Sequence, residues 1–187
     1  MNQIEIRVAV PEDAQAVQKI YSYYVLNTAV TSEYVVPTVE EFEGRIRKVL
    51  KKYPFIVAMI DGEVVGYAYA REFHDRAAYA WSCETSIYVE KDHHHLGVGR
   101  RLYEHLEELL KKQRIVNMYA CVSYPEEKSD YLTMDSCLFH MRMGFMRVGE
   151  FHHCRYKFDG WYNMTWMEKT ISPLSIDPPA FIPFEEL

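Results

Sequence analysis

Cysteine is scarce in this chain: Cys83, Cys121, Cys137 and Cys154 are the only four in 187 residues, and no two form a Cys-x-x-Cys pair. Such scattered thiols argue against a disulfide framework and fit a reduced, cytosolic protein. Long apolar runs are also missing; the longest, FIVAMI at Phe55–Ile60, is far too short to span a bilayer. Positive charge is in deficit, with a net charge of −6, which argues against broad binding to nucleic acid or anionic membranes. The opening MNQIEIRVAVPEDAQ has no cationic start running into an apolar stretch, so no signal peptide is expected and the expected location is cytoplasmic. No internal repeat is present.

What remains is an ordinary globular composition, 49% hydrophobic and 26% charged, with length enough for one domain and a substantial core. Fifteen tyrosines hint at a large, partly polar pocket. Residues 1–171 read as the single domain. Residues 172–187 hold four prolines and read as a coil that wraps the surface.

IEIRVAV (Ile4–Val10) alternates as a strand does, and Pro11 opens a helix with Ala14, Val17, Ile20, Tyr21 and Tyr24 on one stripe. Thr38 and Glu41 have capping-box spacing, ahead of a helix whose stripe is Phe42, Ile46, Val49 and Leu50. FIVAMI and VVGYAYAREF read as strands joined by a turn at Asp61–Gly62, and YAWSCETSIYV as a third. After Gly99, Leu102, Leu106, Leu109 and Leu110 share a helical face. Then come a strand (IVNMYACV), a short helix (MDSCLFHMRM) and two strands turned by Asp159–Gly160. The order β-α-α-β-β-β-α-β-α-β-β predicts one α/β domain without regular βαβ alternation.

The stretch YVEKDHHHLGVGRRLY runs from a strand through glycines into a helix. That arrangement aims backbone N–H groups at an anion, and Arg100 and Arg101 add full charge where the helix dipole disfavours it. A dinucleotide fingerprint is excluded because Leu102 stands where a third glycine is needed, and a P-loop because Gly99 precedes Arg-Arg. Three adjacent histidines, His93 to His95, cannot all point one way. His152, His153 and Cys154 alternate faces along a strand, so no metal site is expected.

His94-His95-Leu96-Gly97-Val98-Gly99 resembles the pyrophosphate loop of the GNAT superfamily of N-acetyltransferases, and the likeness in element order runs from about Ile4 to Ile171. Within it, RAAYAWSCETSIYV, DSCLFHMRMGF and GWYNMTWMEK are similar to the phosphinothricin and methionine sulfone acetyltransferase branch. The resemblance implies the GNAT fold: a central mixed, mostly antiparallel twisted sheet of about seven strands flanked by about four helices. It implies acetyl-CoA as co-substrate and a small-molecule amine, an amino acid or analogue, as acceptor, in a homodimer.

It also implies roles. Backbone groups of Ile87, Tyr88 and Val89 would take the pantetheine arm, and the amides of His95, Leu96, Gly97, Val98, Gly99 and Arg100 the pyrophosphate, with His94 opening the motif. Glu84, in a mostly apolar strand near Trp81 and Cys83, would be the general base, its proton affinity raised by burial. The alternative is a salt-bridged structural glutamate. His140 would protonate the departing thiolate, the alternative being a neutral core histidine. Thr133 stands where the family has a cofactor-binding asparagine, behind an apparent insertion, EEKSDYLT; Ser136 is a second candidate. Arg76 would bind an acidic group of the acceptor, or is a solvated loop charge. Tyr34, Tyr79, Trp161 and Tyr162 are candidate pocket walls. Rival readings are a non-catalytic acyl-CoA-binding domain, or an acceptor that is a protein N-terminus, polyamine or aminoglycoside.

Overall fold

A computed structural model describes residues 3–187. The first alternating stretch forms β1 (Glu5–Val8). Pro11, whose ring presets φ, opens one 3-10 turn, Pro11–Asp13, so α1 (Ala14–Asn27) begins three residues later than the proline alone suggests. Asp13 holds that junction, accepting from the Val10 amide at 2.8 Å and from both ends of the Arg7 guanidinium at 2.7 Å. Helix α2 (Val39–Leu50) starts at the expected capping box: the Thr38 amide donates to Glu41 and the Glu41 amide to Thr38 Oγ1.

β2 (Phe55–Ile60) and β3 (Glu63–Glu72) are joined at Asp61 and Gly62, both with positive φ. β4 (Ser82–Val89) leads to α3 (Val98–Lys112), and β5 (Asn117–Tyr124) to α4 (Asp135–Arg142). The last hairpin is β6 (Met146–Lys157) and β7 (Gly160–Thr170). Its turn is Phe158–Asp159, φ 48° and 56°, one residue earlier than expected, because Gly160 already pairs with Lys157. Phe158 tolerates this left-handed backbone with its ring stacked on Tyr131 at 4.3 Å.

Seven strands form one sheet in the order β1-β2-β3-β4-β5-β7-β6, with every pair antiparallel except β4–β5. The predicted element order and sheet class therefore hold. Leu102, Leu106 and Leu110 of α3 are fully buried against Met118, Ala120 and Val122 on one face. On the other face Val17, Ile20, Tyr21 and Tyr24 of α1 and Phe42 and Ile46 of α2 cover Phe55, Val57 and Tyr67. The sheet thus has two sides built from different parts of the chain.

Two devices tie loops to this frame. The last residues lie along the surface: Trp81 Nε1 donates to Pro179 O, Arg114 to Ala180 O, and buried Gln113 to Lys52 O and Ile182 O, while Phe181 packs on Tyr53. On the other side Lys157 is buried, and its ammonium donates to Val25 O at 2.8 Å and Thr31 O at 3.3 Å. This fastens the α1–α2 connection to the β6–β7 hairpin.

Candidate functional site

The parallel β4–β5 ladder has only three rungs, Ser82↔Asn117, Cys83↔Met118 and Glu84↔Tyr119. Beyond them β4 stays paired with β3 as far as Val89, and β5 with β7 as far as Tyr124. The two strands part, and their facing edges are left without ladder partners. At the closed end the Thr85 hydroxyl donates to Tyr119 O at 3.1 Å.

The alternation of an antiparallel ladder says which backbone groups face this cleft. The Glu90 amide donates to Val65 O, so Tyr88, two residues back, bonds to β3. Of the expected triplet, Ile87 and Val89 therefore face the cleft and Tyr88 does not. The Val89 carbonyl is already taken: Tyr24 O–H donates to it, and His94 Nε2 lies 3.0 Å away. His94 Nε2 is also 2.9 Å from the Tyr24 hydroxyl, so this histidine clamps the loop to the end of β4. Burial pushes the Tyr24 hydroxyl up to about 12, keeping it a donor.

Past His94 the chain turns sharply, with φ 62° at His95 and 88° at Gly97. No neighbour would touch a Cβ at Gly97, so glycine is needed there for its backbone angle alone. At Gly99 the reason is space: a Cβ would lie 3.1 Å from the Phe139 ring of α4. Helix bonding starts at the Arg101 amide, which donates to Gly97 O at 3.1 Å. The amides of Val98, Gly99 and Arg100 therefore open the helix without intrahelical acceptors. Its first turn carries no acidic residue, and Arg100 and Arg101 are exposed there. These residues suit a pyrophosphate group. Replacing Gly97 with valine forces a branched side chain into left-handed backbone. The dissociation constant for acetyl-CoA is expected to rise about tenfold or more by calorimetry, while the α3 core keeps the fold.

Glu84 faces the α1/α2 side, its side chain 12% exposed and 2.5 Å from Arg71 Nη2. It is not the isolated carboxylate expected from its apolar neighbours: Arg71 stands directly opposite it in the β3–β4 register. Burial pulls the Arg71 pKa down, and the Glu84 carboxylate more than offsets this, leaving it raised. Beside the pair Phe73 stacks on Tyr119 at 4.2 Å and meets Trp166 edge-on at 5.5 Å, an aromatic wall invisible in the strand pattern.

His140 is buried on the α3/α4 side. Its Nδ1 lies 2.7 Å from Ser136 O, so Nδ1 carries the proton and Nε2 accepts from Tyr103 O–H at 2.8 Å. Burial lowers its pKa to about 4, against a weaker upward pull from the Ser136 carbonyl. A neutral ring with its one proton committed has none aimed at a thiolate, so the direct acid role expected of His140 is not supported by this geometry. Tyr103, which sequence reasoning passed over as a helix residue, links it to Thr85 Oγ1 at 3.4 Å.

The other candidates are dispersed. Arg76 is an exposed loop residue whose carbonyl accepts from the Tyr79 amide, and the Tyr79 ring rests on His74 at 4.7 Å. The Tyr34 hydroxyl donates to Tyr156 O, with the ring largely in solvent. Trp161 is exposed against Tyr156, and Tyr162 packs on Ala29 and Leu132, so neither lines the cleft. Thr133 Oγ1 donates to Asp135, in the turn before α4. Ser136 gives its carbonyl to His140. His93 lies beside Glu90, and among the described residues no cluster of three His, Cys, Asp or Glu side chains is placed to hold a metal.

A strand edge left open beside a helix N-terminus built for anions is the arrangement of an acyl-CoA-dependent transferase. A family model described as an acetyltransferase (GNAT) domain matches residues 6–166. The chain is 30% identical over 166 residues to the phosphinothricin N-acetyltransferase of Streptomyces viridochromogenes, covering 89% of this chain and 87% of that protein. Over 164 residues it is 27% identical to the L-methionine sulfoximine/L-methionine sulfone acetyltransferase of Salmonella typhimurium, covering 87% and 92%. A phosphinothricin acetyltransferase of Sinorhizobium meliloti, solved in complex with acetyl-CoA, superposes with a TM-score of 0.81 at 27% identity, covering 89% of this chain and 88% of that one. The chain belongs to the GNAT acetyltransferase family. It is an acyltransferase whose co-substrate is acetyl-CoA.

Proposed function

We propose that this enzyme acetylates the primary amine of a small amino acid or analogue of the phosphinothricin, methionine sulfoximine and methionine sulfone kind. The observation that carries the reading is the position of Glu84. Its carboxylate stands at the closed end of the β4–β5 cleft, on the face opposite the helix that supplies the anion cradle. The names of the curated relatives support the acceptor class.

In this reading the acceptor enters from the α1/α2 side and its amine attacks the thioester carbonyl directly, forming the amide C–N bond as the C–S bond breaks and CoA leaves as a thiolate that takes its proton from solvent. Glu84 takes the amine proton, directly or through one water, and Arg71 holds that carboxylate in place. Cleft-facing backbone N–H groups of β4 polarise the carbonyl. The amides of Val98, Gly99 and Arg100 fix the pyrophosphate, which positions the donor for attack. His140 and Tyr103 act as a neutral, hydrogen-bonded support beneath the cleft.

Release of free thiol from acetyl-CoA, followed colorimetrically, tests this. Turnover is expected with methionine sulfone, methionine sulfoximine or phosphinothricin and not with spermidine or kanamycin. Tight acetyl-CoA binding without turnover of any amine would instead identify a non-catalytic binding domain.

A further inference from the structure

The sheet face opposite the cradle holds a second arginine that no motif marks. Arg155 of β6 pairs with Tyr162 of β7, which puts it on the face shared by Trp166, Cys121 and Glu84. Across this face Tyr162 and Trp166 lie on β7, Cys121 and Tyr119 on β5 and Glu84 on β4, so the face that carries Arg155 leads to the parting of β4 and β5. Among the described residues no carboxylate pairs with Arg155, and its Nε is shut off from solvent with no acceptor in reach.

Three ion-paired arginines behave differently. Arg7, Arg45 and Arg71 each hold a carboxylate, on Asp13, Glu33 and Glu84, and their pKa values rise. For Arg155 burial wins and the pKa falls. Nor does a nearby carboxylate pair with Arg155. Glu33 holds Arg45 through Oε1, and its buried Oε2 has no hydrogen-bond partner; Glu126 holds His153, and the Lys157 ammonium is bound to carbonyls. A guanidinium desolvated without a counter-charge is costly, and a bidentate carboxylate is its best complement.

We propose that Arg155 is the anion receptor of the acceptor subsite, taking an acidic group of the amine substrate and selecting carboxylate-bearing amines over neutral or cationic ones. The inference rests on the acceptor-class reading above. It moves the role expected of Arg76 from an exposed loop to a half-buried position on β6.

The test compares methionine sulfone with its carboxamide, in the unmodified enzyme and in Arg155→Leu, Arg155→Lys and Arg76→Leu. A charge-assisted contact of this kind corresponds to roughly a 10- to 100-fold effect. The unmodified enzyme is expected to prefer the acid by about that factor in kcat/KM. Arg155→Leu should raise KM for the acid and erase the preference, leaving KM for acetyl-CoA unchanged and the melting temperature no lower. Arg155→Lys should restore part of it, and Arg76→Leu should leave it intact. Equal use of acid and carboxamide by the unmodified enzyme, or a preference that survives Arg155→Leu, overturns the proposal. Calorimetric titration of the CoA-loaded protein with the same two compounds gives the same comparison without turnover. If the acid binds through Arg155 but is not acetylated, the receptor stands and the catalytic reading fails; if neither compound binds, the receptor is overturned.

Discussion

Glu84→Gln should lower kcat about a hundred- to a thousand-fold at pH 7.5 and leave the acetyl-CoA dissociation constant unchanged. A positioned base contributes on the order of 10²–10⁴ to rate. The substitution keeps the shape and a hydrogen-bond acceptor for Arg71, so the fold and the aromatic wall around Phe73 and Tyr119 should persist. The amine reaches the enzyme largely protonated, and glutamine cannot take that proton. Recovery of rate as pH rises toward the amine's own pKa would separate loss of a base from loss of substrate affinity. Unchanged kcat would sink the base assignment and leave Glu84 as Arg71's structural partner.

Stability is expected to fall as the pH drops from 7.5 to 5, and much of that fall should trace to His140. Its folded pKa is about 4, below the ordinary 6.5, so between these values the unfolded chain binds a proton that the folded one refuses. The unfolded state then gains as pH falls, and the protection returns above pH 6.5. For one group shifted this far, the loss over that range is about 2 kcal/mol. His140→Gln offers an uncharged side chain and should flatten this slope, whatever it costs at pH 7.5. Denaturant melts at the two pH values supply the comparison; an equal slope in the variant would place the acid sensitivity elsewhere. A neutral His140 also implies that it contributes no inflection to the kcat profile between pH 6 and 8.

The element order was legible in the sequence because each element declares itself locally: alternation in Ile4–Val10, the Thr38–Glu41 box, the leucine stripe of α3. The glycine loop was legible for the same reason, since Gly97 and Gly99 meet their constraints within one turn and one neighbouring helix. What escaped depends on pairing between distant segments. Nothing in ETSIYV says that the ladder to β5 stops at Glu84, or that Arg71, thirteen residues earlier, lands opposite it. Arg155 was hidden by the irregularity between Phe151 and Arg155, where four β6 residues span two of β7. His140 was placed correctly on its helix, but its tautomer is set by Ser136 and Tyr103, which periodicity cannot orient.

The buried Lys157 ammonium ties the β6–β7 hairpin to Val25 O, and Tyr24, the residue before it, ties the glycine loop through Val89 and His94. The last turn of α1 is therefore a common mooring for two segments that lie far apart in the chain. A substitution that loosens this one turn is expected to be felt at the hairpin and at the anion-binding loop together.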